Sequence, residues 1–262
     1  MQEHATSPAS SPSPGEGFDA TTRTVLILLG TVVFIAVVNG TMINVALPHI
    51  GKDFGVTEGT YGWLVTGYTL TFGIFSAING RLADMLGKKR LYMFGILMLG
   101  LNSLAVAASP YIELAIALRF LQGAGAAALP VLGTSIIKEI VSPQQQGKAV
   151  GYILSTVGVA ASIGPFLGGV IVQFAHWRVV FMITGVVLVM FPLALKVLPE
   201  SLDETDGKSF DWVGAVLLSA GVGALLYGFE MLENRAALWM FLTTIGVGVS
   251  GLVAFGFWIT RK

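Results

Sequence analysis

The chain contains no cysteine, so it can build neither a disulfide framework nor a thiolate metal site. Charge is also scarce: 11% of the 262 residues are charged, against roughly 25% in an average soluble protein. Formal net charge is zero, and nothing in the sequence points to a nucleic-acid partner. The three histidines, His4, His49 and His176, are too scattered to propose a metal. A Gly-x-Ser-x-Gly elbow, a His-Glu-x-x-His pair and a redox Cys pair are all missing. An enzyme is therefore disfavoured and no cofactor is expected. Strict two-residue alternation is absent, which argues against a β-barrel, and no filter-like or ring-forming charged segment suggests a channel.

Apolar residues, in contrast, make up 54% of the chain. They fall into runs long enough to cross a hydrocarbon core of about 30 Å, which takes roughly 20 helical residues each. The expected spans are 25–48, 61–80, 91–108, 112–136, 149–173, 178–198, 212–229 and 237–260. In lipid every backbone polar group must be satisfied within its own segment, so these runs read as helices. The expected fold is an all-α, multi-pass membrane protein of eight helices, with membrane lipid as its surroundings. Residues 1–24, rich in Ser and Pro, cannot bury enough apolar surface to offset their conformational entropy and read as a disordered cytoplasmic tail. A cleaved signal peptide is disfavoured, because the apolar run from Val25 is longer than a typical h-region.

The Lys and Arg residues between the spans are unevenly divided. Arg23, Arg81, Lys88, Lys89, Arg90, Lys138, Lys148, Lys196, Lys208, Arg261 and Lys262 fall on one side, and only Lys52, Arg178 and Arg235 on the other. By the positive-inside rule both termini are expected to be cytoplasmic. The polar stretch 199–211 reads as a cytoplasmic linker between a six-helix unit (25–198) and a final pair of helices (212–262). Gly207-Lys208-Ser209 ends like a phosphate-binding loop, but Leu202 stands where the first glycine belongs. Asn39-Gly40-Thr41 fits a glycosylation acceptor, yet it lies inside the first span, out of reach of that chemistry.

Four stretches stand out. The first is Gly80-Arg81-Leu82-Ala83-Asp84-Met85-Leu86-Gly87-Lys88-Lys89-Arg90, which joins spans two and three. Its glycines permit a tight turn, and Asp84, expected just beyond the second helix, can pair with a base or accept from a helix N-terminus. The second is Arg119, well inside an apolar run and followed by Gln122, Gly123 and Gly125. A mid-span arginine costs about 2.5–3.5 kcal/mol on insertion scales, so it is expected to face a cavity or a polar partner, or to brace buried carbonyls. The third is a stripe of small residues, Gly151, Ser155, Gly158, Ser162, Pro165 and Gly169, spaced 4, 3, 4, 3, 4. Such a stripe admits a second helix at close range and by itself indicates only packing. A similar face, Gly62, Thr66, Thr69, Gly73, Ser76 and Gly80, either lines a cavity or packs. The fourth stretch is the end of span one, Val38-Asn39-Gly40-Thr41-Met42-Ile43-Asn44-Val45-Ala46-Leu47-Pro48.

Together these stretches resemble the major facilitator superfamily, and within it the drug/proton antiporter family with fourteen helices. The resemblance implies a signature loop made of Gly80, Arg81, Asp84, Gly87, Lys88, Lys89 and Arg90, acting as a latch between two six-helix bundles. It links Arg119, with Asp84 as a second candidate, to proton transfer. Gly158 to Gly169, with Gly164, Pro165 and Gly168 between them, resembles the antiporter motif of exporters. Asn39, Asn44, Thr66, Thr69 and Gln122 become candidates for a substrate cavity. Most members have aspartate where this chain has Asn39, and an amide cannot titrate, so that proton-handling role does not carry over. Tetracycline exporters share the asparagine, and His176-Trp177 and the run Gln122 to Ala128 also resemble them. Phe210-Asp211-Trp212-Val213-Gly214-Ala215 resembles the start of the extra helix pair of fourteen-helix members. The implied function is proton-coupled efflux of amphipathic drugs such as tetracycline, with small-molecule drug and protons as partners. The resemblance covers eight helices of fourteen. A complementary carboxy-terminal bundle or a second copy of the chain is therefore a further expected partner; a fragment that does not transport is the alternative.

Overall fold

A computed structural model describes residues 18–200, 211–233 and 238–260. Most of the expected tail (1–17), most of the linker (201–210), and Arg235, Arg261 and Lys262 lie outside the described residues. The described chain forms long helices, here numbered α1 Ala20–Phe54, α2 Trp63–Leu86, α3 Lys88–Ala107, α4 Ile112–Ile140, α5 Pro143–Phe174, α6 Arg178–Val197, α7 Trp212–Glu233 and α8 Leu238–Thr260. Six of them are long and apolar enough to cross a membrane on length and composition alone. The remaining two are α2, which contains the polar residues Thr66, Thr69, Thr71, Ser76 and Asn79, and α7, whose apolar stretch is shorter, Val213–Gly228.

Several boundaries move outward from those expected. Helix α1 begins at Ala20, inside the stretch read as disordered, because the Asp19 carboxylate caps it by accepting from the Thr21 and Thr22 amides. The Thr22 side chain, and then the amides, hold the Asp19 carboxyl below its ordinary pKa through their hydrogen bonds. Past Pro48, α1 continues to Phe54 and stops at Gly55, whose φ of +66° suits a glycine cap. The largest correction concerns the segment 80–90. It is mostly helix, not loop: α2 runs through Leu86, Asp84 lies within its last turn, and only Gly87 (φ +86°) separates it from α3. The helix extends because Ala83 is buried and Leu82 half-buried against the core, so the apolar face continues past Gly80.

Buried apolar side chains form two clusters. One gathers Val25, Leu29, Val32 and Val33 of α1 with Tyr92, Ile96 and Leu99 of α3 and Leu129 and Leu132 of α4. The other gathers Met42, Ile43 and Ile50 of α1 with Val106, Ile112, Trp177, Val180 and Phe181. Along α1 the first ends at Ala36 and the second begins at Val38. Asn39 sits at that junction, fully buried.

Helix α5 packs along α1 through Gly164 and Gly168. A Cβ on Gly168 would lie 2.6 Å from the Met42 carbonyl oxygen, and one on Gly164 would collide with the Thr41 hydroxyl. The stripe expected to make such a contact faces the other way: Ser155, Gly158, Ser162 and Pro165 are exposed, and nothing lies within 4 Å of a Cβ on Gly151 or Gly158. Both faces of α5 carry glycine, so small-residue spacing alone could not choose between them.

The pair α7–α8 is joined by backbone proximity, with a Cβ on Gly251 falling 3.1 Å from the Gly221 Cα. It rests on α2, where Leu226 covers Gly73 and the Tyr227 ring stacks on Trp63 at 6.3 Å.

Candidate functional site

At the junction between the two apolar clusters lies a polar layer centred on Arg119, which is completely buried. Its Nε donates to the Leu64 carbonyl of α2 at 2.8 Å. Nη1 donates to Asn39 Oδ1 of α1 at 3.0 Å and to Gln122 Oε1 at 2.6 Å. Arg119 and Gln122 are three apart on α4 and share a face. Gln122 passes the network to α3, donating to the Ser103 hydroxyl and to the Leu99 carbonyl at 3.3 Å. Asn39 donates in turn to Thr184 Oγ1 of α6 at 2.9 Å. The guanidinium also lies over the Tyr68 ring, 4.0 Å from its centroid, with Phe181 at 5.8 Å. Five helices thus meet in one connected network around Arg119. Every acceptor is neutral, and Nη2 has no hydrogen-bond partner.

Beside this layer is a cavity of about 190 Å³ between α1, α2 and α4, lined by Val33, Val37, Tyr68, Thr69, Phe72 and Pro130 among others. It is apolar except for Thr69 and the Tyr68 ring, and Tyr68 is the side chain it shares with the arginine. An apolar pocket with few polar groups suits an amphipathic small molecule.

The sequence-derived candidates therefore divide. Asn39, Gln122 and Arg119 meet in one network, and Thr69 lines the cavity. Thr66 is buried and bonds back to the Gly62 carbonyl. Asn44 is exposed on α1 and stands outside the network. Asp84 is exposed at the end of α2 and makes no ion pair among the described residues. Its neighbours are tied down differently: Lys88 pairs with Glu139 at the end of α4, and Lys89 with Glu200 at 2.9 Å. The Lys89 hydrogen bond, and then its charge, hold the Glu200 carboxyl below the usual carboxylate range. Arg81 borders a second cavity of about 210 Å³ with Asp211 and Phe255.

Sequence reasoning missed Tyr68, Ser103, Thr184 and the Leu64 carbonyl as members of the layer. It also missed a tie at the opposite end of the bundle, where Asp53 Oδ2 accepts from Trp177 Nε1 (2.9 Å) and Arg178 Nη1 (2.8 Å), joining α1 to α6. Arg178 Nη2 reaches the Ser109 carbonyl, adding the α3–α4 connection.

The Major Facilitator Superfamily model matches residues 29–261. The chain belongs to this superfamily. It is a multi-pass cell-membrane protein, and its fold class is the all-helical one of these transporters. Similar curated proteins include a puromycin resistance protein from Streptomyces alboniger, 31% identical over 88% of this chain and 46% of that protein. A lincomycin resistance protein from Streptomyces lincolnensis is 35% identical over 79% of the chain and 43% of its own length. A riboflavin transporter from Clostridioides difficile (strain 630) is 29% identical over 88% and 49%. The chain thus spans about half the length of the curated relatives it matches. Among solved structures, a bacterial homolog to the human lysosomal transporter Spinster, inward-facing and unoccupied, is similar with a TM-score of 0.62. The match has 16% identity and covers 92% of this chain and 62% of that one, a likeness of fold alone.

Proposed function

We propose that the chain corresponds to the amino-terminal half of a proton-coupled exporter of amphipathic drugs, in the fourteen-helix drug/proton antiporter family, with both termini cytoplasmic. The observation that carries this reading is the Arg119 layer beside an apolar cavity walled by Tyr68 and Phe72. A buried cation with one unused donor is costly in lipid unless it serves a pathway, and the cavity is of a kind that accepts aromatic drugs. Similarity to puromycin and lincomycin resistance proteins supports a drug as substrate; tetracycline is the first compound to test. In this reading a second bundle completes the site at the midplane and the two rock against each other. The carboxylate Asp84, exposed at the end of α2, and Arg119 are the groups assigned to proton coupling and latching.

The test is drug accumulation in energised cells expressing the chain with a complementary bundle, with and without a proton uncoupler, beside Asp84→Asn. Accumulation should fall, recover with uncoupler, and fail to fall in the variant. Unchanged accumulation of tetracycline, puromycin and lincomycin, with the protein shown to be in the membrane, rejects the drug reading. In that case export of another metabolite, favoured by the similarity to a riboflavin transporter, is the next reading.

The exposed stripe of α5 favours one further arrangement, in which a second copy of the chain supplies the other bundle. Gly158→Trp should then abolish self-crosslinking through α5; crosslinking that survives it eliminates this arrangement.

A further inference from the structure

We infer that the cavity beside Tyr68 selects its occupant by charge, binding neutral or anionic amphiphiles, the uncharged-amine form of a basic drug included, in preference to cations, with Arg119 as the residue that sets this preference. The inference rests on the cavity being a ligand site, as proposed above, and adds the class of ligand.

Three observations carry it. Arg119 is fully buried, yet its acceptors are two amide oxygens and a backbone carbonyl, all neutral. Neutral acceptors engage the Nε and Nη1 hydrogens without cancelling the charge, so a net positive charge persists inside the bundle. Secondly, no carboxylate among the described residues forms an ion pair with it. Asp53 is at one end of α1 and paired with Arg178, Glu113 is in the first turn of α4, and Asp84 and Glu139 lie at the opposite helix ends. Asn39, where a carboxylate would form an ion pair, is an amide 3.0 Å from Nη1.

The third observation concerns Tyr68. Aromatic walls ordinarily favour cations, because the ring face is electron-rich. Here the Tyr68 face is already engaged by Arg119, 4.0 Å from its centroid, while the same side chain forms part of the cavity wall. A ligand packed on that wall therefore meets a ring whose quadrupole is committed to a neighbouring positive charge. For a ligand charge about 8 Å from the guanidinium at an effective dielectric constant near 20, the Coulomb term changes affinity roughly thirtyfold. A cation loses that factor and an anion gains it.

The experiment uses the full chain in lipid nanodiscs with the neutral fluorophore 1-N-phenylnaphthylamine bound. Two competitors of nearly equal size and opposite charge, tetraphenylborate and tetraphenylphosphonium, then displace it. Empty nanodiscs correct for partition into lipid. Tetraphenylborate should compete at least tenfold better than tetraphenylphosphonium. Arg119→Gln should bring the two together, and Arg119→Lys should keep the preference. Where Arg119→Gln does not yield a monodisperse protein, Asn39→Asp neutralises the charge in place and should collapse the preference in the same way. Equal competition in the unaltered chain, or a preference that survives both Arg119→Gln and Asn39→Asp, overturns the inference while leaving the cavity reading intact. If the fluorophore itself does not bind, the cavity reading falls and this inference with it.

Discussion

Helices α1 to α6 and the pair α7–α8 are both built from apolar helices, but they are held together by different means. In the six-helix unit, side-chain hydrogen bonds cross between α1, α2, α3, α4 and α6 at one buried level. In the pair, the described contacts are mainly of shape: Gly221 against Gly251, Gly228 against Ile245, Gly248 against Leu225. Its clearest polar tie is at one end, where Trp258 Nε1 donates to the Asp211 carboxylate at 2.9 Å. In lipid, tails are as apolar as leucine, so helices associate by close backbone approach or by polar bonds. Between its ends the pair relies mainly on close approach. The six-helix unit tolerates a buried charge, a cost that packing alone does not require, and this is where the candidate functional site lies.

Removing that charge should produce the largest effect. Arg119→Ala leaves a cavity and orphans the Asn39 and Gln122 oxygens, a loss of about 3 kcal/mol or more by analogy with buried large-to-small changes. Arg119→Met refills most of the volume and should lose about 1–3 kcal/mol, the share due to the orphaned amides. Thermal unfolding in detergent, read separately from crosslinking of α7 to α8, should show the bundle weakened and the pair unchanged. A pair that loosens together with the bundle means that the two regions fold as one unit.

The reverse experiment is Gly251→Leu. Its Cβ would meet the Gly221 backbone, which cannot move aside as a side chain tip can, so overpacking of about 1–3 kcal/mol is expected. Loss of α7–α8 crosslinking with an unaltered bundle melting temperature supports the contrast. Trp258→Phe is a milder version: it deletes one charge-assisted bond at the pair's end, and about 1 kcal/mol or less should go, as protease sensitivity near residue 211.

The smallest effect belongs to Glu200. Its carboxyl is held below the ordinary range by Lys89, so the contribution is present above the unfolded pKa and is lost as pH falls through the folded one. Glu200 is 82% exposed, so solvent and salt screen it. The melting temperatures of Glu200→Gln and the unaltered chain should differ barely at pH 7 and converge below pH 4; a difference that persists in acid means the pair is not its source.

Much of this was legible in the sequence. Hydropathy found every long helix, and the cost of a charge in lipid singled out Arg119 without any structure. Gln122 stood out only as a cavity candidate implied by the resemblance; the structure shows that its place three residues on from Arg119 makes it the arginine's companion. What the sequence hid was the rest of the layer. Ser103 and Thr184 are short hydroxyls that bond back to their own helix, to the Leu99 and Val180 carbonyls, and so sit in apolar helices at little cost and leave no hydropathy signal. Leu64 takes part through its backbone, which no side-chain pattern reports. The segment 80–90 was misjudged because glycine at 80 looked like a terminus, whereas the buried Ala83 and half-buried Leu82 carried the helix on to Gly87.

The meeting of five helices in the Arg119 layer also has a mechanical meaning. Each is tethered near one depth by a bond involving the same connected group, while separate ties fasten the ends: Asp53 with Trp177 and Arg178 at one, Lys88 with Glu139 at the other. Bending any one of these five helices outward at its middle would strip hydrogen bonds from buried groups. A force applied to the end of one helix is therefore shared by its neighbours, and the six-helix unit resists being pulled apart more strongly than it resists being tilted whole, like a bundle of rods lashed at the waist.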